Sequence, residues 1–274
     1  MRVLIAHNTY RESGGEDAVV AAEERILAEN GHTVIPFRRD NMELQDAGLV
    51  RIGAAAFETI WASDSCRRLQ RLIERAQPEV AHFHNTFPLI SPAAYYVCQN
   101  ARIPVVQTLH NYRLLCPTAT FFRDGRVCQS CLGRSLPWPG ILHGCYRDSH
   151  RASAIVAGMS AIHRALGTLR KKVNVYIALT EFARRQFIQG GLPPERIVVK
   201  HNCVCADPGT RRTRGEYAIF AGRMSPEKGI LVLVSCWAKL KSNATLKIAG
   251  TGPQESQVAS EVERLGISNV ELLG

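Results

Sequence analysis

The stretch FAGRMSPEKG, residues 220–229, holds an arginine, a helix-start signal and a lysine in close succession. A short apolar run leads into Gly222. Ser225 suits an N-cap and Pro226 the first helical position. Lys228 is then predicted in the first helical turn, where the helix's own partial positive charge disfavours a cation unless an anion joins it. A guanidinium, an ammonium and unpaired backbone amides at the end of a parallel strand suit a diphosphate. The phosphate loop that ends in Gly-Lys-Ser/Thr is excluded, because here the lysine precedes the glycine. The plain alternative is a strand–helix turn with two solvated surface cations.

Further residues could do chemistry. Gly14 and Gly15, in HNTYRESGGEDAVV, open a helical pattern just after an apolar strand. There they either satisfy a tight turn or let backbone amides approach a ligand. No Gly-x-Gly-x-x-Gly follows that strand, which argues against a dinucleotide fold. His110 closes the strand in QTLHNYRLLCP, and His84 with Asn85 closes the one in HFHNTFPLISP. Cys116, Cys128, Cys131 and Cys145 form Cys-x11-Cys-x2-Cys-x13-Cys. One knuckle with two single cysteines is compatible with a structural zinc held by four thiolates, with free thiols, or with redox cross-links. Cys66, Cys98, Cys203, Cys205 and Cys236 have no such spacing and read as small core residues. Two Glu-x7-Glu pairs, Glu16 with Glu24 and Glu255 with Glu263, read as solvent-facing helix residues.

Elements to position these groups are legible along the chain. VLIAH, TVIPF, EVAHFH, PVVQTLH and VYIALT are short apolar strands, rich in β-branched residues and without strict alternation. Helical patterns separate them, the first from about Glu16 to Asn30. This is the pattern of parallel strands covered on both faces, a doubly wound α/β sheet. Residues 1–207 read as one Rossmann-like domain. It carries a cysteine-bearing insertion at 111–150, in which Asp124-Gly125 predicts a hairpin turn. A Pro-, Gly- and charge-rich linker at 208–215 follows. Residues 216–274 then restart the pattern with three strands and two helices, about half of a second Rossmann-like domain.

The composition, 46% hydrophobic and 21% charged over 274 residues, is that of a globular chain. Neither a signal-peptide core nor a membrane-length apolar run occurs, so a cytoplasmic protein with reduced cysteines is expected. ASAIVAGMSAIHRAL reads as a buried helix. The net charge of +10 is uneven: residues 111–214 hold 17 Lys/Arg against 5 Asp/Glu, while residues 1–110 hold 11 against 13. Such an excess suits an anionic membrane surface, a phosphorylated substrate or nucleic acid, or is simply a solvated face. Nucleic acid is the poorer fit, since no aromatic residues interleave with the basic runs.

With these residues in view, FAGRMSPEKGILVLV resembles the Gly-Arg-x-x-x-Glu-Lys-Gly segment of the retaining GT-B glycosyltransferases of family 4. IAGTGP at 248–253 is similar to that family's Gly-x-Gly-Pro turn. The resemblance extends to the Gly-Gly loop and the strand-end histidine. It implies a nucleotide-sugar donor whose diphosphate meets Arg223 and Lys228, with Gly250 and Gly252 near the nucleotide. Gly14 and Gly15 would face the donor phosphate or the acceptor, and His110 the donor sugar. It further implies a saccharide or lipid-linked acceptor, cell-envelope polysaccharide synthesis and no catalytic metal. The family's Glu-x7-Glu motif is expected past the point where this chain stops, as in a C-terminally truncated member, and neither pair here has its flanking residues. Catalysis by these residues alone is therefore open, and a truncated, non-catalytic sugar- or partner-binding module is the alternative.

Overall fold

The computed structural model describes residues 1–9, 14–44, 57–203, 209, 215–240 and 243–274. The expected linker, the RRTR run and Cys205 lie almost wholly outside them. The chain divides into two compact units: Met1–Phe121 with Cys128–Asp207, and Phe122–Val127 with Pro208–Gly274.

The first unit is built on a six-stranded sheet of strands β1 (Arg2–Thr9), β2 (Thr33–Asp40), β3 (Val80–Phe83), β4 (Val105–Leu109), β7 (Val175–Ala178) and β8 (Ile197–Val199). Their order is β2-β1-β3-β4-β7-β8, and every pairing is parallel. Val3, Leu4, Ile5 and Ala6 are all buried, as an apolar run covered on both faces should be. Pro36 lies in β2, an edge strand, where a missing N–H costs no ladder bond. The chain leaves β1 for β2 on one side and later returns to β3 on the other. The carboxyl ends of β1 and β3 therefore flank the topological switch point, where open α/β sheets bind ligands.

The helix Gly15–Glu29 follows β1, and Gly31 stops it at φ +77°. The helix His150–Ala165 buries Val156, Ala157, Met159 and His163, in line with the expectation of a buried helix. His163 stacks on Trp61 and bonds the Ile60 carbonyl at 2.7 Å, a structural role. Leu4, Phe83, Tyr95, Tyr176 and Phe187 anchor the main core. Strand β8 was not anticipated: Ile-Val-Val is too short to show a period.

In the insertion, β5 (Phe122–Arg123) pairs antiparallel with β6 (Arg126–Val127). Asp124 and Gly125 turn between them at φ +53° and +73°, two left-handed residues as a type I′ hairpin requires.

The second unit also holds a parallel sheet, of β9 (Tyr217–Ala221), β10 (Thr245–Ala249) and β11 (Val270–Leu272) in the order β11-β10-β9. Ile230, Val234, Leu246, Ile248 and Val258 fill its core. Among the described residues no helix is long and apolar enough to cross a membrane.

Candidate functional site

Three neighbouring strands of the first unit each end in a polar pair. β1 delivers His7 and Asn8, β3 leads into His84 and Asn85, and β4 into His110 and Asn111. Backbone and amide bonds lock the first two ends together. The Asn8 N–H donates to the Asn85 carbonyl at 2.9 Å, and the Asn85 amide donates back to the Asn8 carbonyl at 2.8 Å. Gln107 donates to the His84 carbonyl at 2.8 Å while accepting from the Tyr95 hydroxyl at 2.6 Å, which fixes β3 against β4. On this frame His84 Nδ1 and His110 Nε2 stand 3.0 Å apart with stacked rings. A hollow beside them is lined by Asn85, Phe87, Thr108, His110, Asn111 and Arg113.

The helix Gly15–Glu29 opens at the same edge. Asp17 caps it by accepting the Gly14 N–H at 2.8 Å on one carboxylate oxygen, while the other oxygen holds His7 Nε2 at 2.7 Å. Asn111 reaches the same turn through Glu16 at 2.8 Å. Gly14 has φ −127°, which any residue adopts, and a side chain at Gly15 would meet nothing within 4 Å. Turn geometry therefore does not demand these glycines. The Gly14 amide is taken by Asp17, and the lack of a side chain at Gly15 leaves the space beside it clear of atoms within 4 Å.

The histidines are held neutral. Burial pushes His82 down to about 4, with the Lys200 ammonium adding to the effect. Burial pushes His110 to about 4 as well, against the opposing pull of the Glu23 carboxylate. His84 falls well below the ordinary range through burial, then through His82 and His110. Near neutral pH these three rings therefore offer hydrogen bonds rather than positive charge.

In the second unit the structure amends the expectation for Lys228. Pro226–Lys228 form a single 3-10 turn, and Gly229 at φ +69° breaks it from the α-helix, which runs Ile230–Trp237. A left-handed glycine cannot continue either helix, so Lys228 precedes the α-helix instead of lying in its first turn. Arg223 and Lys228 are both exposed on this segment. Gly250 and Gly252 lie against it. The Met224 N–H donates to the Thr251 carbonyl at 2.8 Å, and the Gln254 N–H to the Met224 carbonyl at 3.0 Å. A Cβ on Gly250 would sit 2.2 Å from the Gly222 oxygen, and one on Gly252 2.5 Å from the Met224 oxygen. These two glycines thus zip the turn after β10 onto the turn after β9. Gly250→Ala is expected to destabilise the second unit by roughly 3 kcal/mol or more, since rigid backbone stands in the way. Gly266→Ala, at φ +62° with nothing within 4 Å, should cost only about 1 kcal/mol. Urea unfolding of both variants checks this, and equal midpoints would refute it.

The four cysteines of the insertion are neighbours, since Cys116, Cys145 and Cys128 all act on the Cys131 thiol. Burial, then the neighbouring Cys116, pushes the Cys131 thiol up to about 11. Yet a four-thiolate zinc needs sulfurs roughly 3.8 Å apart. Among the described residues the group of three metal-ligating side chains whose ligand atoms lie within 4.8 Å of one another is Glu23, His82 and His84.

Of that group the sequence singled out His84 alone; Glu23 and His82 were missed, together with His7, Asp17 and Lys200. A signal for part of it existed: His82-x-His84 on a strand puts both rings on one face, and their centroids are 4.2 Å apart. Glu23 and Lys200 reach the cluster from elements 177 positions apart, which no local pattern reveals.

A family model described as Glycosyltransferase Family 4 matches residues 13–207. No curated protein matches the sequence. Among solved structures, Anabaena Alr3699/HepE in complex with UDP-glucose is similar at a TM-score of 0.60 and 16% identity, over 100% of this chain and 69% of that one. The same protein in complex with UDP and glucose gives 0.58 and 15%, with the same coverage. The lipopolysaccharide outer core galactosyltransferase WaaB, in its apo form, gives 0.54 and 11%, over 100% of this chain and 68% of that one. At such identities the likeness establishes the fold, α/β with Rossmann-like parallel sheets as in these GT-B proteins.

Proposed function

Because the chain belongs to glycosyltransferase family 4, we propose that it moves a sugar from a nucleotide-sugar donor to a saccharide or lipid-linked acceptor with retention of configuration, in cell-envelope polysaccharide synthesis. The observation that carries this reading is the exposed Arg223 and Lys228 on a turn zipped to the Gly250–Gly252 turn. Two cations on the turn that follows the carboxyl end of a parallel strand suit a diphosphate. Cleaving a sugar from a nucleoside diphosphate leaves new negative charge on the departing phosphate. Cations already in place stabilise that charge without reorganising. His110 supplies a neutral ring to orient the transferred sugar. Of the Gly14–Gly15 pair, Gly15 offers its amide to a phosphate or acceptor oxygen, while the Gly14 amide does so only where the oxygen displaces Asp17.

UDP is the probe of choice, since HepE structures hold UDP and UDP-glucose. Saturable binding of UDP by calorimetry, weakened by rising salt, is the expected result. A chain that binds no nucleoside diphosphate would overturn the reading. Release of free sugar from UDP-sugars by the 274-residue chain separates a transferase from a module that only binds.

The basic residues of 111–214 suit docking on the anionic inner face of a membrane, where a lipid-linked acceptor resides. Co-sedimentation with vesicles containing anionic lipid, and not with neutral ones, is the expected outcome. Equal binding to both removes the idea.

A further inference from the structure

Glu23 lies on the helix Gly15–Glu29, its side chain 8% exposed, beneath the histidine cluster. One carboxylate oxygen, Oε1, pairs with the Lys200 ammonium. The other, Oε2, stands 3.5 Å from His82 Nδ1 and 3.5 Å from His84 Nε2. The second nitrogen of each ring is already engaged. His82 Nε2 meets the Thr108 hydroxyl at 2.7 Å, and His84 Nδ1 meets His110 Nε2 at 3.0 Å. His84 Nε2 has no hydrogen-bond partner, and its side chain is fully buried.

We infer that Glu23 is a positioning residue: it selects the tautomer of His84 and, through it, that of His110, so that His110 presents a bare Nδ1 as a hydrogen-bond acceptor. A carboxylate oxygen repels a ring lone pair and attracts an N–H, and in a buried site that preference is not screened by water. His84 therefore carries its proton on Nε2, facing Glu23. Its Nδ1 is left with a lone pair, which accepts from His110 Nε2–H. His110 then has no proton on Nδ1. The same field places the His82 proton on Nδ1 and makes the Thr108 hydroxyl the donor to Nε2.

Lys200 compensates the charge that burial would otherwise penalise in Glu23. A divalent ion would also fit the spacing of Oε2 and the two ring nitrogens, but Lys200 already supplies the positive charge there. The chemical consequence is a specificity. The group that His110 meets must donate a hydrogen bond, as a hydroxyl does and a phosphate oxygen or carbonyl does not. That this hydroxyl belongs to a sugar rests on the glycosyl-transfer reading; the tautomers do not.

Long-range proton–nitrogen NMR on histidine-labelled protein at neutral pH reads each ring directly. The expected result is Nε2–H on both His84 and His110 in the unaltered chain. In E23Q the His84 and His110 signals should move together toward the Nδ1–H form, while His163 stays unchanged. An Nδ1–H tautomer on His84 in the unaltered chain overturns the inference even if the variant fails to fold. So does stoichiometric zinc uptake that shifts His82 and His84 together, which would make the cluster a metal site. Absence of UDP binding would count against the transferase reading and leave the tautomers as they are.

Discussion

Alanine at both Arg223 and Lys228 is expected to lower kcat/KM for the nucleotide-sugar by about 10²- to 10⁴-fold and to weaken UDP binding in the same direction. Removing a single group aimed at a developing oxyanion costs about 10²- to 10³-fold in turnover. Two cations facing one diphosphate are partly redundant in the ground state, so the double change should exceed either single change without reaching their product. Both side chains are exposed and neither belongs to the core of the second unit, so the thermal midpoint should stay within about 1 °C. Lys239→Ala, another exposed cation of that unit, is the control and should leave UDP affinity unchanged. A loss smaller than threefold in the double variant, with UDP affinity intact, would remove the diphosphate from this turn.

The second large effect is on stability in mild acid. His82 and His110 titrate near 4 in the folded chain, and His84 and His163 are also pushed below the ordinary value. In the unfolded chain a histidine titrates near 6.5. A lowered folded pKa means that the unfolded state binds more protons between these values. Stability is therefore fully present above about pH 6.5 and is lost progressively as pH falls toward 4. At about 1.4 kcal/mol per pKa unit, His82 and His110 alone account for roughly 3 kcal/mol each. The groups facing them are Glu23, Lys200 and His7, together with each other. The urea midpoint should thus drop steeply between pH 7 and pH 5, a range in which most carboxylates stay ionised. A flat profile there would show that the histidines take up protons without unfolding.

Much of this fold could be read from the order of residues. The apolar run VLIA announced a parallel strand because burial on both faces leaves no polar alternation to obscure it. YAIF announced one by composition alone, with Tyr217 and Ile219 exposed on one face. Asp124-Gly125 announced its hairpin because few other residues tolerate two successive left-handed positions. Arg223, His110 and the glycine pairs were visible as strand-end chemistry. The boundary at Lys228 was misjudged because Ser-Pro is a sound helix start, and the glycine that interrupts it acts through its backbone angle alone. The gathering of Glu23 with the strand-end histidines was missed for a different reason. Its members are brought together by sheet order, and only the crossover from β2 past β1 to β3 makes them neighbours.

The Asp17 carboxylate serves two masters, the Gly14 amide with one oxygen and the His7 ring with the other. Both bonds draw on one carboxylate, so any change in one is felt by the other. His7, whose second ring nitrogen is buried without a hydrogen-bond partner, is tied to the helix start by this carboxylate alone. The helix start and the end of β1 are thus joined through a single side chain.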